Sequence, residues 1–294
     1  MIADQIVNGL VSGGLYALIA LGYTLVFGVL DKLNFAHSEI FMFGGYAGLV
    51  AFAATGSLVA AFLLVVIVSV VLGLLVEWVS FRKFRSHDAQ VTAALSSLLV
   101  GLLIIEATHK LWGSEPRGLG IPAEIYTASV AVLGIQITWV KLVILAVAVL
   151  LMAALIWVIE RTRLGRSIRA VSESPDHARL MGIDVTRVTQ ATFAIASALA
   201  GVGGLLLACR TGVAVSEIGL TFGLKALAVM AIGGMGDVRG AMLAGLLIGV
   251  AEALTFHFGL GRLGEITVWV VMIAVLLVRP SGLLGRGQTG AVRA

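Results

Sequence analysis

The chain has 294 residues, of which 60% are apolar and 12% charged, against about 25% charged in an average soluble domain. No single soluble core buries that much apolar surface, whereas a bilayer interior of roughly 30 Å accepts helices of about 20 apolar residues. Runs such as Leu58 to Leu75 and Leu142 to Ile159 are apolar all round, which argues against a β-barrel, and the net charge of +4 sits in short loops without aromatic interleaving, which reads as topology and excludes a nucleic-acid surface.

Taken in chain order, hydropathy predicts helices at about 6 to 29, 38 to 56, 58 to 80, 90 to 112, 139 to 159, 189 to 209, 240 to 257 and 264 to 279. The first basic residue is Lys32, so Met1 to Val29 lacks the positive region of a cleavable signal peptide and reads as retained structure. A further apolar stretch, Gly223 to Gly234, is too short to cross alone and runs into Gly233-Gly234-Met235-Gly236. Glycine-interrupted half-helices of this kind occur where backbone lines a cavity inside protein, so it is counted as a crossing completed by irregular chain. The expected fold is an all-α integral membrane protein: a polytopic bundle of about eight full transmembrane helices plus this short segment, in a single domain over 1–294. The one cysteine, Cys209, allows neither an intrachain disulfide nor a cysteine metal cluster.

Orientation follows from the loop distribution of Lys and Arg. With the N-terminus outside, the inner side holds Lys32, Arg82, Lys83, Arg85, Arg161, Arg163, Arg166, Arg169, Arg179, Arg187, Arg239, Arg279, Arg286 and Arg293. The outer side keeps Lys110, Arg117, Lys141, Arg210, Lys225 and Arg262. This bias favours N-out and C-in provided that the short Gly223 segment crosses, and a reporter fused after Ala294 is then cytoplasmic. The outer connection from Gly113 to Thr138 carries Pro116, Pro122, Gly118, Gly120 and Gly134 with an apolar stretch at Val130 to Leu133. A surface hairpin or helix facing an outside partner and a plain linker both fit it.

The loop at about 161–188, expected in the cytoplasm, carries helix punctuation. Ser174 suits an N-cap, Pro175 the first helical position, and Asp176 the positive helix end. Gly182 suits the left-handed stop, so a short helix is predicted over about Pro175 to Met181. Two turns are not stable alone in water. Packing on the protein's own inner face and insertion into a partner's groove are both open.

Among polar residues, Asn34, His37, Ser38 and Glu39 cluster between the first two helices beside Phe35 and Phe41. Polar groups at the bilayer are costly unless paired or facing a cavity, so the cluster is a translocation-pathway candidate. The rival reading is a capped inner loop in which Ser38 and Glu39 begin the second helix. Glu77, Glu106, His109 and Glu252 lie in or near apolar spans. Glu77 and His109 are expected at the interface, whereas Glu252 is deeper and demands a partner that the sequence does not name. Lys225 and Arg210 flank the outer end of the short segment, where snorkelling is the expected behaviour and contact with an anionic group the alternative. Gly201, Gly203, Gly204, Gly240, Gly245 and Gly249 give small-residue faces for close helix packing. Gly14-Leu-Tyr-Ala-Leu and Gly223-Leu-Lys-Ala-Leu look alike, either as a trace of duplication or as chance recurrence.

Three blocks resemble the branched-chain amino acid permease family of ABC importers, which includes the LivH-type subunits. The first is Gly14-Leu-Tyr-Ala-Leu-Ile-Ala-Leu-Gly-Tyr-Thr-Leu-Val-Phe-Gly leading to Leu33-Asn-Phe-Ala-His-Ser-Glu and Gly44-Gly-Tyr; the second is Arg169-Ala with Ala178 and Gly182-Ile; the third is Gly223-Leu-Lys-Ala with Gly233-Gly-Met-Gly-Asp-Val-Arg-Gly. The family usually has glycine where this chain has Ser38. Glu173-Ser-Pro also departs from the Glu-Ala-Ala of many other importer permeases. The pathway candidates are Tyr23, Asn34, Phe35, His37, Ser38, Glu39 and Glu252, and the resemblance implies that Glu173, Ser174, Pro175, Asp176, Ala178, Arg179 and Gly182 couple to an ATPase. It implies as partners a second related permease, two ATP-binding cassette subunits and a periplasmic substrate-binding protein, at a bacterial inner membrane.

The chain has no G-x-x-x-x-G-K-[ST] loop, so ATP is expected to be used by partner subunits, with no cofactor or metal bound here. The expected function is alternating-access uptake of branched-chain or other hydrophobic amino acids, or related small carboxylates and amides. A gradient-driven secondary transporter is the alternative, with Glu252 its one serious coupling carboxylate. An intramembrane enzyme is disfavoured, since H-E-x-x-H and G-x-S-x-G are absent and no catalytic residue is proposed.

Overall fold

The computed structural model describes residues 2–84, 89–118, 120, 128–132 and 135–285. Arg85, Pro122, Leu133, Gly134, Arg286 and Arg293, which entered the topology and loop expectations, lie outside the described residues. The long helices are α1 (Ile2–Leu30), α2 (His37–Thr55), α3 (Leu58–Val76), α4 (Gln90–Trp112) and α5 (Trp139–Arg161). After α6 (Arg163–Glu173) and α7 (Pro175–Leu180) come α8 (Val185–Thr211), α9 (Ile218–Gly233), α10 (Val238–His257) and α11 (Gly264–Val278).

Among the described residues, seven helices are long and apolar enough to cross a bilayer: α1, α2, α3 with its extension, α4, α5, α8 and α10. α9 and α11 are shorter apolar helices. The span expected at 264 to 279 forms as α11, one of these two shorter apolar helices. α11 has 15 residues and rises roughly 22 Å, less than the hydrocarbon thickness. Gly259, at φ +76, turns the chain after α10, and a 3-10 turn at Gly261–Leu263 precedes α11. α9 starts earlier than expected, at Ile218, because Gly219 and Gly223 serve as contact surfaces and do not break the helix.

Burial sorts the helices into a centre and a shell. The most apolar windows of α1 and α8 are 83% and 78% buried, against 22% in α5. Helix association in lipid depends on close packing and not on a hydrophobic drive, so the central helices meet through small residues. α1 and α10 cross where Gly9 and Gly13 face Gly249 and Gly245; a Cβ on Gly13 would stand 2.7 Å from the Gly245 carbonyl oxygen. α2 and α8 meet in the same way at Gly44 and Gly201, and the turn after α9 closes at Gly233 on Gly240. The small-residue faces expected from sequence are thus packing faces.

One end of the bundle carries a knitted layer. α3 continues as a π-helical turn, Glu77–Phe81, in which the Arg82 N–H reaches the Glu77 carbonyl at 2.8 Å. Glu77 lies in this end layer, buried at 1% exposure and 3.4 Å from Arg82. α6 was not anticipated. Thr162 caps it by accepting from the Gly165 N–H at 3.1 Å, and its apolar residues Leu164, Ile168 and Val171 have helical spacing. Ile168 and Val171 join Val29, Ala178, Val185 and Val188 in a small separate core. α7 forms as predicted, with Ser174 accepting from the His177 N–H at 3.3 Å and Gly182 at φ +78. The Leu283 and Leu284 N–H groups reach the Ile232 and Gly233 carbonyls, satisfying orphan acceptors at the end of α9.

At the opposite end, β1 (Arg117–Gly118) pairs with β4 (Val213–Ala214), and β2 (Ser129–Val132) pairs with β3 (Ile135–Thr138) in an antiparallel hairpin with Ser129 opposite Thr138. The outer connection thus contains a surface hairpin.

Candidate functional site

The chain does not run directly from α1 into α2. Asp31, at φ 52, is the described non-glycine residue with positive φ, and it reverses the chain at the end of α1. Gln90 Nε2 donates to the Asp31 carboxylate at 2.9 Å and to its carbonyl at 3.1 Å, tying this turn to the start of α4. Lys32 is buried and donates to the Phe84 carbonyl. The chain then climbs back inside the protein. The Phe35 N–H donates to Ser97 Oγ at 3.0 Å, two turns into α4, and His37 lies against Gly22, eight residues before the end of α1.

Asn34, His37, Ser38 and Glu39 are therefore not an exposed loop at the membrane face. They are 2%, 0%, 6% and 5% exposed, at a depth that places the α2 N-terminus inside the bundle. Ser38 and Glu39 do begin the second helix, yet its cap is Ala36 with no side-chain hydrogen bond. The His37 and Glu39 N–H groups donate to the Asn34 and Ala36 carbonyls at 3.3 and 3.2 Å, and the positive helix end is directed into the protein.

The cluster is also under-satisfied. Both amide atoms of Asn34 and Oε2 of Glu39 have no hydrogen-bond partner among the described residues, and the His37 ring faces the Ile19 backbone. The His37 ring packs edge-on to Tyr23 at 4.7 Å. Ser38 Oγ has the Phe35 carbonyl and Glu39 Oε1 both at 3.1 Å. Each buried polar group left unpaired costs roughly 1–3 kcal/mol, so the bundle tolerates several such costs in one place. An ammonium group would find the free Glu39 oxygen there, and a carboxylate or amide would find the Asn34 side chain.

The surrounding walls are small. Gly101 of α4 sits where a Cβ would be 3.3 Å from Glu39 Cγ. Gly219 and Gly223 of α9 press on Glu39 and Ser38, and the Tyr23 hydroxyl comes within 3.3 Å of the place of a Gly223 Cβ. Phe35 is half-buried at the α4 side. Phe41, fully buried, stacks on Phe222 of α9 with centroids 5.5 Å apart, and Phe222 in turn meets Tyr16 at 5.4 Å.

That aromatic chain leads to the partner of Glu252 that the sequence did not name. Lys225 Nζ donates to Glu252 Oε1 at 2.7 Å, and the Tyr16 hydroxyl donates to Glu252 Oε2 at 2.6 Å. Lys225 and Glu252 are each 8% exposed, so Lys225 points inward and does not snorkel. Arg210 donates to Ser12 Oγ at 2.7 Å nearby. The look-alike pentads supply this meeting: Tyr16 and Lys225 are the third residues of their pentads, and both reach the same carboxylate. A lysine in mid-run of an apolar segment was the available sequence signal, but its partner is 27 residues away on another helix.

The coupling candidates form a separate group in the knitted layer. Ala178 is buried at 3%, while Leu180 and Met181 are 84% and 81% exposed. Glu173, Pro175, Asp176 and Arg179 are exposed, and Arg179 pairs with Asp176 at 2.8 Å. Ser174 and Gly182 bound the helix. One residue thus anchors α7 and the rest of its surface is free of this chain.

The family described as branched-chain amino acid transport system / permease component matches residues 5–277. The high-affinity branched-chain amino acid transport system permease protein BraD of Pseudomonas aeruginosa is 33% identical over 300 residues, covering 98% of this chain and 97% of its own length. The corresponding permease protein LivH of Escherichia coli K12 is 34% identical over 309 residues, with 98% and 97% covered. Among solved structures, PsaBC from Streptococcus pneumoniae in complex with Fab is similar at a TM-score of 0.47 and 11% identity, covering 96% of this chain and 97% of that one.

Proposed function

The chain belongs to the branched-chain amino acid transport permease family, and from that premise we propose that it is the membrane-spanning subunit of an ATP-driven importer for branched-chain or other hydrophobic amino acids. The observation that carries the reading is the buried, incompletely paired cluster of Asn34, His37, Ser38 and Glu39 at the uncapped start of α2. Its donors and acceptors suit the ammonium and carboxylate of a small zwitterion, and Tyr23, Phe35 and Phe41 suit an apolar side chain. Polar groups held at a loss inside a membrane bundle are the expected mark of a pathway.

The energy enters through α7. Its exposed Leu180 and Met181, beside Asp176 and Arg179, suit a groove on an ATP-binding cassette subunit, and α6 links the movement of that helix to α1 and α8 through Ile168 and Val171. Two such ATPases, a second related permease and a periplasmic binding protein complete the complex. No cofactor is held by this chain, and ATP is used by the partners. The whole chain acts as one permease domain, with the α6–α7 layer cytoplasmic, the N-terminus outside and the C-terminus inside a bacterial inner membrane. A gradient-driven transporter is disfavoured because Glu252, its coupling candidate, is already paired with Lys225 and Tyr16.

The test is a mild-detergent pull-down through a tag on this chain, with ATPase activity assayed before and after adding candidate binding proteins loaded with leucine, isoleucine or valine. Co-purifying ATPase subunits with ligand-dependent stimulation support the importer. A lone chain, under conditions that preserve other complexes of this kind, sinks it.

A further inference from the structure

We propose that Lys225, Glu252 and Tyr16 form a latch that holds α9 in register over the polar cluster, and that the latch opens to uncover Ser38 and Glu39 during transport. The inference rests on the reading of that cluster as the translocation site.

α9 is short, with 16 residues; beyond it the chain turns at Gly234 and Gly236, φ +110 and +86, and the Leu283 and Leu284 N–H groups hold its last carbonyls. Its contact with α2 combines Phe222 stacked on Phe41 with glycine contacts, Gly219 on Glu39 and Gly223 on Ser38. At the two glycines no side chain fixes position along the groove, so that task falls to Phe222 and to a polar anchor. The polar anchor is on the other side of the same helix. Lys225, two residues from Gly223, reaches Glu252 on α10, and Tyr16 on α1 closes the triad from the second oxygen. Three helices are thereby pinned at one carboxylate, close to the part of α9 that covers Ser38.

A buried ion pair is weak support for stability, since well-packed apolar residues often replace one at no loss. Its best-attested use is to specify one arrangement among alternatives. Here the alternatives are positions of α9 along α2. Arg210 near the triad gives Glu252 a second cation to approach when Lys225 leaves, so the carboxylate keeps a cation beside it in the open arrangement.

The experiment uses the assembled complex in membranes, with Cys209→Ala as background and Ser38→Cys as reporter for N-ethylmaleimide. Labelling rate and melting temperature are compared for the parent, Glu252→Gln, and the apolar pair Lys225→Met with Glu252→Leu. The latch requires slow labelling in the parent and at least about ten-fold faster labelling in both variants, a factor worth about 1.4 kcal/mol, with the apolar pair melting at or above the parent. Parental rates in both variants, or faster rates that track a lowered melting temperature, overturn it. A non-hydrolysable ATP analogue added to the parent separates the two claims. No change in labelling there sinks the pathway reading, while the latch is judged on the variants.

Discussion

Gly223 of α9 lies so close to Ser38 of α2 that a Cβ on the glycine would overlap that of the serine. The contact sets how near the cover comes to the polar cluster. Gly223→Val forces the two helices apart or forces Ser38 off its position, an overpacking cost of about 1–3 kcal/mol. The expected result is a complex that assembles with a lowered melting temperature and takes up substrate at least about ten-fold more slowly. Uptake at the wild-type rate means that α9 does not sit on Ser38 during transport.

His37 is fully buried, with its ring against the Ile19 backbone and edge-on to Tyr23. Removing it deletes a desolvated polar group, which offsets part of the lost packing. His37→Ala is therefore expected to leave expression and assembly intact while cutting uptake by about ten-fold or more. Uptake within experimental error of wild type argues that His37 is a filler.

Much of this was readable in advance, and the gaps have physical causes. Ser174, Pro175 and Gly182 specified α7 because capping and left-handed stops are local chemistry. The membrane spans followed from apolar runs long enough to cross. The re-entry of residues 31 to 39 was not readable, since its cause is the tertiary fit of Gly22, Ser97 and Gly101 around the returning chain. Glu252 was visible as a buried carboxylate in want of a partner, but nothing in one sequence pairs it with Lys225. The α6 helix had its signal in Thr162 and in the spacing of Leu164, Ile168 and Val171, and was masked by the high charge of its exposed face.

The exposed tip of α7 gives a prediction that separates coupling from folding. Leu180 and Met181 contribute almost nothing to this chain's own core, at 84% and 81% exposure. Replacing both with serine is expected to leave the melting temperature of the isolated permease within about 1 °C. Co-purification of the ATPase subunits should fall several-fold, and substrate-stimulated hydrolysis should be lost. Ala178→Asp is the contrasting change, because a carboxylate there enters the core formed with Val29 and Val171. It is expected to lower the melting temperature directly. Normal ATPase binding in the double serine variant removes α7 from the coupling interface.

The sidedness of the molecule is the last point, and it can be read without any partner. Met181 and Glu115 are both exposed, and they belong to opposite ends of the bundle: Met181 adjoins α7 in the knitted layer, while Glu115 precedes the β1–β4 pairing. The positive-inside bias predicts that the Met181 end is cytoplasmic. In the Cys209→Ala background, Glu115→Cys is expected to react with a membrane-impermeant maleimide in intact spheroplasts. Met181→Cys is expected to react only after permeabilisation. Reversal of that pattern inverts the topology and removes α7 from any cytoplasmic ATPase. Reaction of both in intact spheroplasts puts the two ends on one side and is incompatible with α5 crossing between them.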